Sequence, residues 1–271
     1  MTPGKSLRLR RLVDARSGRT LLVPLDHSLG DGPIASADGV RDLVETLAAN
    51  GADAVLVHKG RVRFLPTDQV GDLALVVHLN GSTRHAPDSN DKVIVGEVAE
   101  AVELGADAVS VHINMGSATE ATQLSDLGRV AAECARWGVP LLAMVYPRGP
   151  RITEPTDPEL VAHAANLAAD LGADLVKTPY TGDVVSMAEV VRSCPIPILT
   201  AGGARVGDDQ QLLATVEDVL ASGAIGLAIG RNVFESPDAA KTTRLLADAV
   251  HADRHLTSIP NLPSRPEAAL G

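Results

Sequence analysis

The chain has 271 residues and a formal net charge of −10 at pH 7, and 45% of its residues are apolar while only 2% are aromatic. The apolar content is sufficient for one large core, which must consist mainly of Ala, Val, Leu and Ile. The acidic balance argues against binding to nucleic acids or to anionic membranes, and no apolar run is long enough to span a bilayer.

Eight short runs rich in Val, Leu and Ile recur along the chain. Near-continuous apolar runs of this length are typical of parallel strands that are buried on both faces. The predicted strands cover residues 20–27, 54–60, 73–80, 108–114, 140–147, 175–178, 197–203 and 226–231.

Helical patterns separate most of these runs, with apolar residues three and four positions apart. The clearest pattern covers 156–171, where Thr156 and Glu159 have the spacing of a capping box and Gly172 marks the end. The other predicted helices cover 38–50, 93–104, 124–137 and 208–222, and a last one opens at Ser236. Residues 61–72 are too few for a helix with its loops, so we expect an irregular crossover there.

A short phrase recurs where a predicted helix ends and the next strand begins. It reads Gly51-Ala-Asp53, Gly105-Ala-Asp107, Gly172-Ala-Asp174 and Gly223-Ala-Ile225, and each glycine suits the C′ position of a helix. Eight strands in repeated αβ units predict a (β/α)₈ barrel, formed as a single domain by residues 1–255 with an N-terminal extension. A doubly wound open sheet is the alternative. Residues 256–271 contain three prolines and no periodicity, so we expect an extended or disordered tail.

The cysteines and the N-terminus indicate where the protein works. Cys134 and Cys194 have no CxxC spacing, which is typical of isolated thiols in a reducing compartment. The N-terminal cations are not followed by an apolar segment, so we expect no signal peptide and a cytoplasmic location.

Polar side chains concentrate at the carboxyl ends of the predicted strands, where a (β/α)₈ barrel carries its active site. Polar groups at one end of otherwise apolar strands reduce stability, so a function explains their clustering better than packing does. The residues at these ends are Asp26, His27, His58, Lys59, His78, Asn80, His112, Asn114, Tyr146, Lys177, Thr178, Gly202, Gly203, Gly230 and Arg231.

Lys177 is the most informative of these residues because it lies in an apolar strand of a chain with five lysines and nineteen arginines. An amine that loses part of its hydration shell gives up a proton more readily, and a neutral lysine is a nucleophile toward carbonyl groups. Lys177 therefore predicts Schiff-base chemistry. Strand alternation would then place Tyr146 and Met144 inside the barrel as well. A lysine that reaches the surface or pairs with an aspartate is the structural alternative.

Two glycine-containing loops indicate an anion site. Gly202-Gly203 follows the seventh run and Gly230-Arg231 the eighth, where barrels of this kind commonly bind phosphate. Glycine lets backbone N–H groups approach an anion, and Arg231 can add a bidentate contact. Tight turns between closely packed units are the alternative explanation.

The four histidines at strand ends, His27, His58, His78 and His112, raise the possibility of a metal site. Each lies on a different strand, and the chain has no helical His-x₃-His pair among them. We therefore expect substrate-contacting histidines, with neither a metal nor an organic cofactor.

Taken together, these segments resemble the archaeal-type class I aldolase family, and most of all its branch of heptulosonate and heptanoate synthases. The resemblance covers residues 7–250, and its most specific segments are 23–27, 51–60, 105–112, 143–149, 157–164, 175–178, 180–183, 201–203 and 230–232.

The resemblance implies roles for individual residues. It implies that Lys177 forms the Schiff base and that Tyr146 and Asp26 are the acid/base pair. It implies phosphate binding by Gly202, Gly203, Gly230 and Arg231. Further candidates for substrate contact, on position, are His27, His112, Asn114 and Arg148.

The reaction that the resemblance implies joins dihydroxyacetone phosphate to L-aspartate 4-semialdehyde, so the partners would be a small phosphorylated ketone and an aldehyde, bound by a homo-oligomer. A composition rich in Arg and poor in Lys suggests a bacterial source, which favours this donor. The alternatives are transfer from a 6-deoxy-5-ketofructose phosphate and cleavage of fructose bisphosphate. A metal-dependent lyase and a non-catalytic sugar-phosphate binding protein represent other classes.

Overall fold

Ten strands are present in the computed structural model, which describes residues 1–252. They are β1 (Thr20–Pro24), β2 (Ala54–His58), β3 (Ala74–His78), β4 (Asn80–Gly81), β5 (Val93–Ile94), β6 (Ala108–Met115), β7 (Leu141–Pro147), β8 (Leu175–Thr178), β9 (Ile198–Ala201) and β10 (Gly226–Ala228). Eight of them close into a parallel barrel in the order β1-β10-β9-β8-β7-β6-β3-β2, and β4 pairs with β5 in a separate antiparallel hairpin.

Helices surround the barrel, and α1 closes one of its ends. They are α1 (Pro3–Leu12), α2 (His27–Gly30), α3 (Ala37–Ala49), α4 (Lys59–Val62), α5 (Val98–Glu103), α6 (Glu120–Trp137), α7 (Pro158–Asp170), α8 (Val184–Ser193), α9 (Asp209–Ala221), α10 (Arg231–Phe234) and α11 (Ala239–His251). Within residues 1–252, no helix is both long enough and apolar enough to cross a membrane.

The predicted barrel is confirmed, and the open doubly wound sheet is wrong, since β1 pairs with both β2 and β10 and so closes the ring. All eight predicted strands are present, and each ends at or close to the expected residue. Residues 61–72 contain only the end of the four-residue helix α4 followed by turns, as expected for an irregular crossover. The predicted tail, 256–271, lies outside the described residues.

Two helix predictions differ from the structure, and two long helices were not predicted. The predicted helix 93–104 is helical only over Val98–Glu103, because Val93–Ile94 pairs with Asn80–Gly81 instead. Helix α7 is capped by Asp157, whose carboxylate accepts the N–H groups of Glu159 and Leu160, and not by Thr156. Helices α1 and α8 were not predicted.

Two apolar layers hold the barrel together, one inside the ring of strands and one between the strands and the helices. The inner layer includes Leu142, Met144 and Leu175, and helix α1 closes it from below with Leu9 and Leu12. The outer layer contains the alternate strand residues, for example Ala143, Val145 and Val176, packed against the helices. Strand alternation thus assigns each side chain to a layer.

The repeated Gly-Ala-Asp phrase closes the amino-terminal end of the barrel. The carboxylate of each aspartate accepts the N–H of a leucine on the preceding barrel strand, and the N–H of the same aspartate donates to that leucine's carbonyl. The pairs are Asp53 with Leu21 (2.6 and 3.0 Å), Asp107 with Leu75 (2.9 and 2.8 Å) and Asp174 with Leu141 (2.9 and 2.9 Å). Each phrase therefore fixes the register of two neighbouring strands as well as ending a helix.

Each of these aspartates also binds a cation from a terminal helix. Lys5 Nζ lies 2.7 Å from Asp174 Oδ2 and Arg11 Nη1 lies 3.1 Å from Asp107 Oδ1, so helix α1 is held against the barrel end. His251 Nε2 lies 3.0 Å from Asp53 Oδ2 and holds helix α11 in the same way. Chain segments far apart in sequence are thus joined at one end of the barrel.

His251 is held in its charged form by its hydrogen bonds. The Ser17 hydroxyl donates its proton to Asp14 Oδ2 at 2.8 Å. It must therefore accept in its hydrogen bond with His251 Nδ1, also 2.8 Å long, so Nδ1 carries a proton. His251 Nε2 faces the carboxylate of Asp53, which also needs a proton from the ring. Burial alone would lower the pKa of His251, but its hydrogen bond to Asp53 and the charges of Asp53 and Asp14 raise it.

We expect His251 to stabilise the fold in a pH-dependent way. Its pKa is raised on folding, so the stabilisation is complete below the unfolded-state value of about 6.5 and is lost as the pH rises through the folded-state value. The free energy of unfolding should be about 1–2 kcal/mol lower in His251→Gln than in the wild type at pH 6, and the gap should narrow by pH 9. Urea denaturation across this range measures it.

The matched control is His163→Gln, since His163 is an exposed histidine on helix α7. That substitution should leave the free energy of unfolding nearly unchanged. A difference between His251→Gln and the wild type that stays constant from pH 6 to pH 9 would contradict a charged His251.

Candidate active site

A cavity of about 760 Å³ opens at the carboxyl ends of the barrel strands. Ten of the eleven predicted site residues line it, and every barrel strand or the loop after it contributes to its wall. The ten are Asp26, His27, His112, Tyr146, Arg148, Lys177, Gly202, Gly203, Gly230 and Arg231. The eleventh, Asn114, is fully buried and lies behind the cavity wall.

Lys177 lies inside the barrel on strand β8. Its backbone pairs with Met144 and Leu199, both of which belong to the inner layer, while the adjacent Val176 faces the helices. The side chain is 8% exposed and reaches the cavity. No carboxylate of residues 1–252 lies within 4.0 Å of its amine, so the structural alternative of an ion-paired lysine does not hold for the part of the chain that is described.

Asp26 provides a negative charge that interacts with this amine. Its Oδ2 lies 3.9 Å from His78 Nε2 and its Oδ1 lies 3.5 Å from His27 Nδ1. Burial disfavours the ionised carboxylate, whereas a positive charge on His78, His27 or Lys177 favours it, and the balance of these effects lowers the pKa of Asp26. Asp26 is therefore an anion at neutral pH.

The four histidines of the cavity are held neutral. Burial lowers the pKa of His27 and of His58 even though Asp26 acts in the opposite direction. Burial lowers the pKa of His78 to about 3, and burial together with Lys92 and Arg148 lowers that of His112 well below its usual range. The histidines therefore supply hydrogen-bonding groups without adding positive charge at neutral pH.

Asn114 orients His112 instead of lining the cavity. Its Nδ2 donates to the carbonyl of Asn90 at 2.9 Å, so its Oδ1 faces His112 Nε2, also at 2.9 Å. The carbonyl-type oxygen accepts, which places the proton of the neutral imidazole on Nε2. Gln123 completes the arrangement by accepting the Asn114 N–H and donating to Asn90.

Tyr146 forms the wall between His112 and Lys177. It is 9% exposed and belongs to the inner layer, as its alternation with Met144 predicted. Its ring centroid lies 5.0 Å from that of His112, and the Arg148 guanidinium lies 4.6 Å above the same ring. The phenol is therefore held at one edge of the cavity by a cation and an imidazole.

The two glycine loops line the cavity with backbone atoms, since Gly202, Gly203 and Gly230 have no side chains. A Cβ atom on Gly202 would come within 2.5 Å of Ile229 Cγ1, and one on Gly230 within 2.7 Å of the Pro24 carbonyl oxygen, so a larger residue at either position requires the neighbours to shift. Asn232 supports the loop, since its Nδ2 donates to the carbonyls of Gly202 and Ala204. Buried Asn232 was not predicted as a site residue, although it directly follows Gly230-Arg231.

The hairpin of β4 and β5 brings further polar groups to the cavity that the sequence did not indicate. Ser82, Arg84, Asn90 and Lys92 line one wall. They were missed because residues 93–104 had a helical pattern and because the loop before them has no periodicity.

A metal site finds little support in the arrangement of side chains. Within residues 1–252, no three His, Cys, Asp or Glu side chains converge as they would to hold a metal ion. His58 and His78 do come together, with ring centroids 5.1 Å apart, but they contact each other through the His78 backbone carbonyl.

Comparison with known proteins gives a consistent result. Residues 20–236 match the sequence model of a protein family that is described as DeoC/LacD family aldolase. A 2-amino-4,5-dihydroxy-6-oxo-7-(phosphonooxy)heptanoate synthase of Streptomyces griseus is 49% identical over 247 residues, covering 91% of this chain and 90% of its own length. A 2-amino-3,7-dideoxy-D-threo-hept-6-ulosonate synthase of Archaeoglobus fulgidus is 42% identical over 256 residues, covering 94% of each.

One similar solved structure contains a reaction intermediate. It is an archaeal fructose-1,6-bisphosphate aldolase with its catalytic Lys covalently bound to the carbinolamine intermediate of the substrate. The two folds superimpose with a TM-score of 0.83 at 31% identity, over 91% of this chain and 99% of that one.

We expect His78 to remain neutral across the physiological pH range, because burial lowers its pKa to about 3. Long-range ¹H–¹⁵N correlation spectra should show its imidazole unchanged between pH 5 and pH 8. The variant His78→Asn identifies the signals by their disappearance. A midpoint within that pH window would contradict the electrostatics described for the cavity.

Proposed function

This chain belongs to the DeoC/LacD family of aldolases, and from that premise we propose the reaction that it catalyses. The chain is a class I aldolase that joins dihydroxyacetone phosphate to L-aspartate 4-semialdehyde. The carbon bearing the donor's free hydroxyl forms a bond to the aldehyde carbon, giving 2-amino-4,5-dihydroxy-6-oxo-7-(phosphonooxy)heptanoate. This is the product in the name of the Streptomyces griseus relative.

The placement of Lys177 is the observation that carries this proposal. It is a lysine inside the barrel, at the cavity, with no ion-pair partner among residues 1–252. Strand β8 lies next to β9 in the ring, and β9 leads into Gly202-Gly203. A phosphate on that loop would bring the adjacent ketone of the donor close to the Lys177 amine.

The first steps build the Schiff base. Backbone groups around Gly202 and Gly230, with the Arg231 guanidinium, hold the donor phosphate. The Lys177 amine, once neutral, attacks the ketone carbon to give a carbinolamine, which loses water to form an iminium ion. The iminium withdraws electrons from the neighbouring carbon, which can then lose a proton to give an enamine.

Asp26 and Tyr146 complete the chemistry in different ways. Asp26 is an anion, so it stabilises the positive iminium and accepts protons. Tyr146 protonates the leaving hydroxyl of the carbinolamine, regains a proton through Asp26 when the donor carbon is deprotonated, and then protonates the alkoxide formed at the aldehyde carbon. Water finally hydrolyses the imine and releases Lys177, so that atoms balance over the cycle.

A second candidate reaction is that of a 2-amino-3,7-dideoxy-D-threo-hept-6-ulosonate synthase, which the 42% identity with the Archaeoglobus fulgidus relative favours. There the donor would be a 6-deoxy-5-ketofructose phosphate and the acceptor the same aldehyde. Both reactions use the same lysine, so mass spectrometry of the products from the two donors separates them.

We expect borohydride in the presence of dihydroxyacetone phosphate to attach the donor covalently to Lys177, because reduction traps an imine. Intact-mass and peptide analysis should show one adduct, located on Lys177. The variant Lys177→Met should form no adduct and should lose the C–C bond-forming activity.

The matched control is Lys59→Met, since Lys59 pairs with Glu100 outside the cavity. It should form the adduct on Lys177 as the wild type does. Turnover that survives in Lys177→Met would exclude the Schiff-base mechanism for this chain.

We expect the two tyrosines to differ in importance. Tyr146→Phe should reduce kcat at least about 100-fold, since it removes the proton donor. Tyr180→Phe is the matched control, because Tyr180 also lines the cavity but its hydroxyl has no hydrogen-bond partner among the described residues. It should keep kcat within about twofold of the wild type. Steady-state assays with both substrates measure the effect, and an equal loss in the two variants would contradict the role of Tyr146.

A further inference from the structure

The wall of the cavity opposite the glycine loops carries positive charge. In the closed order of strands, β3 and β6 lie across the barrel from β9 and β10, which lead into the glycine loops. Between β3 and β6, Lys92 is the last residue of the hairpin loop, directly before β5. Arg148 follows β7, the neighbour of β6. Both side chains line the cavity.

Lys92 is held in place by the hairpin that carries it. Its Nζ donates to Ser82 Oγ at 2.7 Å and to the Ser89 carbonyl at 2.9 Å. An ammonium group has three N–H donors, so one is left for a ligand in the cavity. The side chain is half-buried, and burial together with the nearby Arg148 lowers the pKa of Lys92.

Neither cation is neutralised within the part of the chain that the structure describes. Asp26, Asp31 and Asp88 act on Lys92 at a distance, but no carboxylate of residues 1–252 lies within 4.0 Å of Lys92 or of Arg148. Arg148 instead lies over the Tyr146 ring. Two like charges held near each other without a counter-ion oppose each other, and an anionic ligand between them would remove that repulsion.

We propose that Lys92, together with Arg148, binds the C1 carboxylate of the amino aldehyde acceptor and thereby selects it. This inference rests on the function proposed above and names a further substrate-binding residue for it. The C7 product carries phosphate at one end and carboxylate at the other, with the imine carbon next to the phosphate-bearing carbon. Lys177 is correspondingly next to the glycine loops, and Lys92 lies across the cavity from them.

The length of the product suits this arrangement. The acceptor aldehyde carbon must meet the enamine beside Lys177, and two carbons, C3 and C2, then separate it from the C1 carboxylate. The chain must therefore run from strand β8 past Tyr146 toward the hairpin. Arg148, which lies over the Tyr146 ring, is on that path. Lys92 binds the carboxylate at the end of the product chain.

The test compares two acceptors that differ only in charge, L-aspartate 4-semialdehyde and its C1 carboxamide, each with dihydroxyacetone phosphate. In Lys92→Gln, kcat/KM for the semialdehyde should fall at least about tenfold through a higher KM. For the carboxamide it should stay within about twofold of the wild type. The KM for the donor and the yield of the borohydride adduct on Lys177 should not change.

The matched control is Lys59→Gln, which removes a cation that is paired outside the cavity and should leave the kinetics with both acceptors unchanged. Lys92→Arg, which retains the charge, should recover much of the preference for the semialdehyde. An equal loss with both acceptors in Lys92→Gln would show that Lys92 only supports the hairpin, and no loss with either would also overturn the proposal. Failure of the wild type to join the donor to the semialdehyde would instead refute the proposed function, and the assignment of the carboxylate with it.

Discussion

The two hydrogen bonds between Asp174 and Leu141 set the register of strands β7 and β8, and the chemistry at the other end of the barrel depends on that register. Asp174 directly precedes β8, and its bonds align Leu142 with Leu175 and hence Met144 with Lys177. A slip by one residue would turn Lys177 toward the helices, because side chains alternate between the two faces of a strand. The position of the amine is therefore determined by contacts at the opposite end of its strand.

The two ends of the barrel use charge in opposite ways. At the amino-terminal end, Asp53, Asp107 and Asp174 each accept a backbone N–H and each lie beside a cation from a terminal helix. At the carboxyl end, Lys177 and Lys92 have no acidic partner within ion-pair distance among residues 1–252. Unpaired buried charge reduces stability, so the bonds at the first end compensate for an active site that keeps its charges available for substrate.

Much of this arrangement could be predicted from residue patterns, because each barrel strand is apolar and five of the helices, α3, α5, α6, α7 and α9, lead into a glycine. The placement of Lys177 inside and Val176 outside follows from alternation alone. The hairpin could not be predicted, since Asn80–Gly81 and Val93–Ile94 are too short for any period, and Lys92 was missed with it. Nor could position alone show that Asn114 orients His112: that depends on the carbonyl of Asn90, which only the fold brings near. Asp157 and Thr156 both suit an N-cap, and the choice between them depends on the local backbone.

The neutral histidines explain how one aspartate can serve the whole cycle proposed above. In that cycle the Lys177 amine becomes an iminium ion, and the cavity gains a positive charge that Asp26 would balance. A protonated His78, 3.9 Å from the same carboxylate, would already neutralise Asp26 and would repel the iminium. Burial keeps the pKa of His78 at about 3, so its ring is neutral and leaves the negative charge of Asp26 free to interact with the iminium ion. The four neutral rings thus provide a polar but uncharged lining around the nitrogen whose charge changes in that cycle.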